Sequence, residues 1–242
     1  MEYLSRYFEI TVFYYNPNIY PPSEYEERTS EQERLIREFN REREYEADRH
    51  LIHFVAGTYV PDDFYAAAKG LEQEPEGGAR CTECFKLRLS EAAREAKAGG
   101  FDFFTTTLTI SPLKDAERLN RIGEEMGREY GVEFLPSDFK KRNGYKRSTE
   151  LSREHALYRQ NYCGCVFSKE RVGSALSGAD QNRMPSFRRA DRARLRKPVK
   201  AGKELRPGVE IGEKVGIPVG LHALDIECLI ELQKCHRAAA FR

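Results

Sequence analysis

Residues 77–107 read "GGARCTECFKLRLSEAAREAKAGGFDFFTTT", and the order of parts in that stretch decides the fold class. After a Gly-Gly pair, Leu87, Ala92, Ala93 and Ala96 recur on one side of a helix. Gly99-Gly100 stops it, because residues without Cβ leave a helix at little steric cost. Phe101 to Thr107 (FDFFTTT) then has the aromatic and β-branched composition of a strand. Helix, glycine stop and strand make up one half of a β-α-β repeat.

The same alternation runs outward in both directions. Upstream, Glu9 to Tyr15 (EITVFYY) and Leu51 to Val55 read as strands, separated by the loop "NPNIYPPSEY" and a charged helix over about residues 23–45. A helical piece around Asp62–Gly70 leads into the loop "EQEPEGGAR". Downstream, Ser-Pro punctuation precedes a helix that ends at Gly131, then a short strand over Val132–Leu135. A helix over Tyr145–Tyr158 delivers the chain to "QNYCGCVFS". This predicts an α/β fold with a mainly parallel sheet. Ligands of such sheets sit beyond the carboxyl ends of the strands, so the loops after Tyr15, Val55 and Thr107 are expected to line one site. The opening "MEYLSRYFEI" reads as a helix end running straight into a strand, so the sheet is expected to lack its first strand.

Among the 242 residues, 40% are hydrophobic and 33% charged, the balance of a polar globular protein. No apolar run approaches the roughly 20 residues that span a bilayer, and the N-terminus has no signal-peptide core. A soluble, cytoplasmic protein without membrane contact is expected. The net charge of +1 hides an asymmetry. Residues 172–242 carry 14 Lys/Arg against 8 Asp/Glu, while residues 1–171 carry 26 against 31. That shift divides the chain into a domain over 1–171 and a basic extension over 172–242, poorly ordered except for one short amphipathic helix in "LHALDIECLIELQKCH".

Six cysteines in such a chain point to metal, catalysis or burial rather than a disulfide framework. Cys81 and Cys84, a C-x-x-C at a helix start, suit adjacent positions of one metal centre, a redox dithiol or plain packing. Cys163 and Cys165 flank Gly164, and a disulfide across so small a loop is strained and labile, as in catalytic pairs. Cys228 and Cys235 lie at i, i+7 and read as one buried face. The five histidines show no ligand spacing and are read as structural or exposed.

Four segments carry a resemblance: "YYNPNIYPPSEYEER" (14–28), "RCTECFKLRLSEAAREA" (80–96), "FDFFTTTLTISPLKD" (101–115) and "DFKKRNGYKRSTELSREHALYRQNYCGCVFS" (138–168). In this order they resemble the QueH-type epoxyqueuosine reductases, over about residues 3–171. The resemblance implies a HUP-like (adenine nucleotide alpha-hydrolase-like) α/β domain, a [4Fe-4S] cluster and an additional iron beside it. It implies the last step of queuosine synthesis, a two-electron reduction of epoxyqueuosine in the tRNA anticodon loop, fed by an unidentified electron donor. On that basis Cys81 and Cys84 are cluster ligands, and Cys163 and Cys165 are the redox-active pair. The family's adjacent Cys-Cys, in a "CCxPC"-like loop after a first strand, is absent, so two ligands are expected upstream of Met1. Other readings of the same chain are an ATP-dependent tRNA-thiolating enzyme of the same fold and a structural zinc module using all four paired cysteines.

For the substrate, Tyr14, Asn16 and Asn18 sit at one strand end and Thr107 at another, near Ser111 and Lys114. Lys140, Lys141, Arg142, Lys146 and Arg147 put five positive charges within eight residues beside Tyr145, a patch suited to tRNA phosphates and a stacked base.

Overall fold

The computed structural model describes residues 1–43, 50–169 and 230–234. After a single 3₁₀ turn at Leu4–Arg6, the elements run β1 (Glu9–Tyr14), α1 (Pro22–Arg43), β2 (Ile52–Ala56), α2 (Pro61–Ala68) and α3 (Ala79–Ala98). They continue with β3 (Phe103–Thr106), α4 (Ala116–Tyr130), β4 (Glu133–Phe134), α5 (Gly144–Glu154) and β5 (Ile230–Lys234). The predicted alternation is present up to α5. Strand β3 is shorter than predicted. Thr106 turns its hydroxyl onto the N–H of Leu108 at 3.2 Å and caps a 3₁₀ turn over Thr107–Ile110.

Helix α1 starts on Pro22, whose fixed φ suits a first turn. Leu35, Ile36 and Phe39 form its buried stripe. Its outer face carries i, i+4 ion pairs, Arg34–Glu38 at 2.6 Å among them. In α3, Leu89, Ala92, Ala93 and Ala96 are fully buried. Helix α4 is capped by the Asp115 carboxylate, which accepts from the N–H of Arg118 at 3.0 Å, and stops at Gly131 with φ +69°.

The sheet order is β2-β1-β5-β3-β4. Strand β1 pairs parallel with β2 (Ile10 opposite Ile52), and β3 pairs parallel with β4 (Phe104 opposite Phe134). Strand β5 lies between the two pairs and runs antiparallel to both, with Gln233 opposite Ile10 and Phe103. The sheet is therefore mixed rather than mainly parallel, with β5 between β1 and β3. The facing edges of β1 and β3 each present unpaired backbone groups, and a strand between them satisfies both rows. The same pairing makes Ile230–Lys234 a strand where a helix was predicted. The boundary at residue 172 and the other tail residues lie outside the described ones.

Alternate residues of β1 face opposite ways. Ile10, Val12 and Tyr14 join one core with Leu35, Phe39, Ile52 and Leu151. Phe13 and Tyr15 join a second core with Phe85, Leu89, Phe104, Leu119, Ile122 and Phe134. Helices α1 and α5 thus cover one face, and α3 and α4 the other. Among the described residues, no helix is long and apolar enough to cross a membrane.

Leu89 is completely buried in the second core. Leu89→Ala is expected to lower the unfolding free energy by about 2–5 kcal/mol in urea or thermal denaturation.

Candidate functional site

A pocket at the start of α3 is lined by all four paired cysteines, Cys81, Cys84, Cys163 and Cys165. Asn18, Phe64, Arg80, Arg88 and Lys114 share its wall. Two sequence motifs about 80 residues apart, each read by itself as a thiol site, therefore form one site.

Cys81 and Cys84 lie in the first turns of α3, which begins after Gly78. The Cys81 sulfur accepts from the N–H of Gly77 at 3.2 Å, in a turn where Gly77 has φ +86°. Arg80 organises the loop ahead of them. Its Nη1 donates to the carbonyls of Leu71, Glu72 and Glu74 at 3.1, 2.8 and 2.7 Å, and its guanidinium lies 4.4 Å from the centre of the Phe167 ring. Arg118 ties α4 to the same turn by donating to the Gly77 carbonyl at 2.6 Å and to the Thr82 hydroxyl at 3.2 Å.

The second pair lies in a tight bend before a helical turn at residues 166–169. Gly164 has φ +116°, and a Cβ there would meet Ile19 at 3.0 Å and Arg28 at 3.1 Å. Its carbonyl accepts from the N–H of Tyr20 at 2.7 Å, which fixes the bend to the loop after β1. The two thiols differ. Cys165 is buried against Phe64, Ala68 and Cys84, while Cys163 is partly exposed. The hydrogen bond with Cys163, followed by burial and the negative charge of Cys163, pushes the Cys165 thiol far above its ordinary range. Lys114 donates from Nζ to the Cys163 sulfur at 3.2 Å and to Glu76 at 3.1 Å.

The four soft sulfur donors suit iron–sulfur or zinc chemistry, and buried cations in the wall suit an anionic centre. However, no three His, Cys, Asp or Glu side chains among the described residues come together closely enough to hold a metal ion. Cys81 and Cys84 therefore fit as one ligand pair, and the described residues do not complete a four-ligand set. Of the histidines, His155 pairs with Glu38 at 3.1 Å and His53 sits 3.5 Å from Glu9, away from the pocket wall.

The expected substrate residues divide. Asn18 lines the pocket, is only 2% exposed, and has neither amide atom hydrogen-bonded. Tyr14 is a core residue instead, fully buried between the rings of Tyr25 and Phe54, because the strand alternation turns it away. Asn16 and Thr107 are buried and outside the pocket lining. Lys114 lines the same pocket and donates to Cys163 and Glu76. Lys141, Arg142, Tyr145 and Lys146 are exposed, and Lys140 pairs with Asp138 and donates to the Lys114 carbonyl at 3.3 Å. Arg147 belongs to ion pairs with Glu2 and Glu154, and Lys141 pairs with Asp138 at 3.1 Å.

Arg80, Arg88, Glu76 and Ser168 carried no prediction from the sequence. A signal for the first two was present. Arg80, Cys84 and Arg88 recur every four residues, which stacks them on one helix face.

A family model described as "Epoxyqueuosine reductase QueH" matches residues 1–171. The chain is 42% identical over 176 residues to the epoxyqueuosine reductase QueH of Streptococcus pyogenes serotype M1, covering 73% of this chain and 67% of that protein. It is 41% identical over 175 residues to the Staphylococcus epidermidis protein of the same name, covering 72% and 71%. Against the Thermotoga maritima one, identity is 37% over 159 residues, covering 64% and 77%.

Gly164→Ala places a side chain at a left-handed φ and against Ile19 and Arg28. The expected cost is about 1–3 kcal/mol of stability in chemical denaturation, with the Cys163–Cys165 bend the first part to open.

Proposed function

The chain belongs to the epoxyqueuosine reductase QueH family, and we propose that it reduces epoxyqueuosine to queuosine in the anticodon loop of tRNA, as an oxidoreductase of the cytoplasm. The observation that carries this reading is the gathering of both cysteine pairs on one pocket, in a chain whose residues 1–171 match the family. That match does not favour a tRNA-thiolating enzyme or a zinc module. The resemblance to HUP-like domains accords with the α/β sheet covered on both faces.

Cys163 and Cys165 are the redox pair. Their oxidation to a disulfide releases two electrons, the number that epoxide removal consumes, and two protons complete the balance to leave an alkene and water. Cys81 and Cys84 would be two ligands of a [4Fe-4S] cluster, and its other ligands and any additional iron would be held by groups beyond this pair. When bound, the cluster supplies electrons one at a time. The protein's own residues do the remaining work. Asn18 offers a buried amide to a polar group of the entering base. Arg80 fixes the loop that fronts the cysteines, and Phe64 and Phe85 exclude water from one wall. An electron donor of unassigned identity restores the dithiol.

The exposed cations at 141, 142 and 146, with Tyr145, are the tRNA contact.

Cys163→Ser is expected to abolish conversion of epoxyqueuosine in tRNA, read by nucleoside mass spectrometry, while bound iron and acid-labile sulfide stay near wild type. Iron depletion in that variant would make Cys163 a ligand and overturn the division of roles. Cys81→Ser is expected to lose the iron itself. Replacing Lys141 and Lys146 by Glu is expected to weaken tRNA binding and to flatten its salt dependence by roughly 0.7 in log–log slope for each phosphate no longer neutralised. An unchanged slope would remove the patch from the tRNA surface.

A further inference from the structure

Asn18 lies in the loop between β1 and α1 and lines the cysteine pocket. It is only 2% exposed, and neither its amide nitrogen nor its amide oxygen is hydrogen-bonded within the protein. A buried amide without partners is costly, so its place in a pocket wall points to a ligand that completes it. A Cβ at Gly164 would stand 3.4 Å from Asn18 Nδ2, so this nitrogen lies against the backbone that joins Cys163 to Cys165. The chain around Asn18 is fixed on both sides. The N–H of Ile19 donates to the Asn16 carbonyl at 3.2 Å, and the Tyr59 hydroxyl donates to the Ile19 carbonyl at 2.6 Å. The N–H of Tyr20 donates to the Gly164 carbonyl at 2.7 Å. The amide is therefore held beside the cysteine bend rather than free to turn to solvent.

We propose that Asn18 is a specificity-determining residue whose amide N–H donates to the epoxide oxygen of the substrate and so tells substrate from product. The inference takes its substrate from the reductase reading and adds the contact that recognises the reacting group. An epoxide oxygen accepts hydrogen bonds and donates none, so the pocket must offer it a donor. Arg80 and Lys114 already donate, the first to three loop carbonyls and the second to Glu76 and Cys163. Asn18 Nδ2 is a neutral donor, buried, and placed beside the sulfurs to which the epoxide must come. The product has a carbon–carbon double bond where the oxygen was, and an alkene accepts no comparable bond. Turnover therefore leaves the Asn18 amide unpaired again, and a site built to hydrogen-bond one group holds the analogue lacking it less tightly. The same contact that admits the substrate thus favours release of the product.

The test titrates the full chain, without added reductant so that nothing turns over, with tRNA carrying epoxyqueuosine and with the same tRNA carrying queuosine. The unaltered protein is expected to bind the epoxyqueuosine form about three- to tenfold more tightly, the span of one net hydrogen bond. Asn18→Leu fills the space without a donor, and Asn18→Ala empties it. Both are expected to bring the two affinities within about twofold by weakening the epoxyqueuosine form alone, a selective change that general damage to the loop would not produce. Equal affinity of the unaltered protein for the two tRNAs would overturn the assignment whether or not the variants fold. So would a preference that persists in Asn18→Ala. A preference for epoxyqueuosine tRNA in a protein that fails to convert it when reductant is supplied would instead overturn the reductase reading alone. Binding of neither tRNA would overturn both.

Discussion

Three cations, Arg80, Arg88 and Lys114, are buried at 2%, 2% and 6% exposure in the wall of one thiol-lined pocket. A buried cation is costly unless nearby acceptors or anions compensate it, and this constraint organises the site. Arg80 meets it with three loop carbonyls and an aromatic face. Lys114 meets it with a carboxylate and a sulfur. The compensation locks loops from distant parts of the chain, so the same contacts that solve an electrostatic problem also fix where the cysteines stand.

That fixing works from two directions. The first pair is carried by a helix, and its position follows from how α3 packs on the sheet through Leu89, Ala92, Ala93 and Ala96. The second pair is carried by a bend with no helix under it until residue 166. It is held by backbone bonds to Tyr20 and Ser168 and by Lys114. A rigid pair thus faces a pair held by polar contacts, a division that suits one set of sulfurs for static ligation and the other for a change of bonding.

Much of the fold was legible because its signals are local. Gly99-Gly100 and Gly131 announce helix ends directly, and the alanine stripe of α3 shows which side packs. The cysteine spacings marked the site for the same reason. What stayed hidden depends on contacts between segments far apart in sequence. Nothing near Lys114 says that its ammonium meets a sulfur 49 positions later. Tyr14 and Asn18 looked alike beside one strand end, yet the pleat sends Tyr14 into the core while the loop carries Asn18 to the pocket. The strand Ile230–Lys234 carries a helix-like pattern and becomes a strand through partners on both sides.

Gly164 has a genetic consequence. Every non-synonymous single-base change in a glycine codon that does not create a stop introduces a residue with a Cβ, and at φ +116° each meets both conformational strain and the side chains of Ile19 and Arg28. The two cysteines can be replaced one at a time by point mutation, but the spacer between them has no neighbouring codon that preserves the bend. The geometry of the pair is therefore sheltered from gradual drift: a lineage either keeps glycine there or rebuilds the loop around the position.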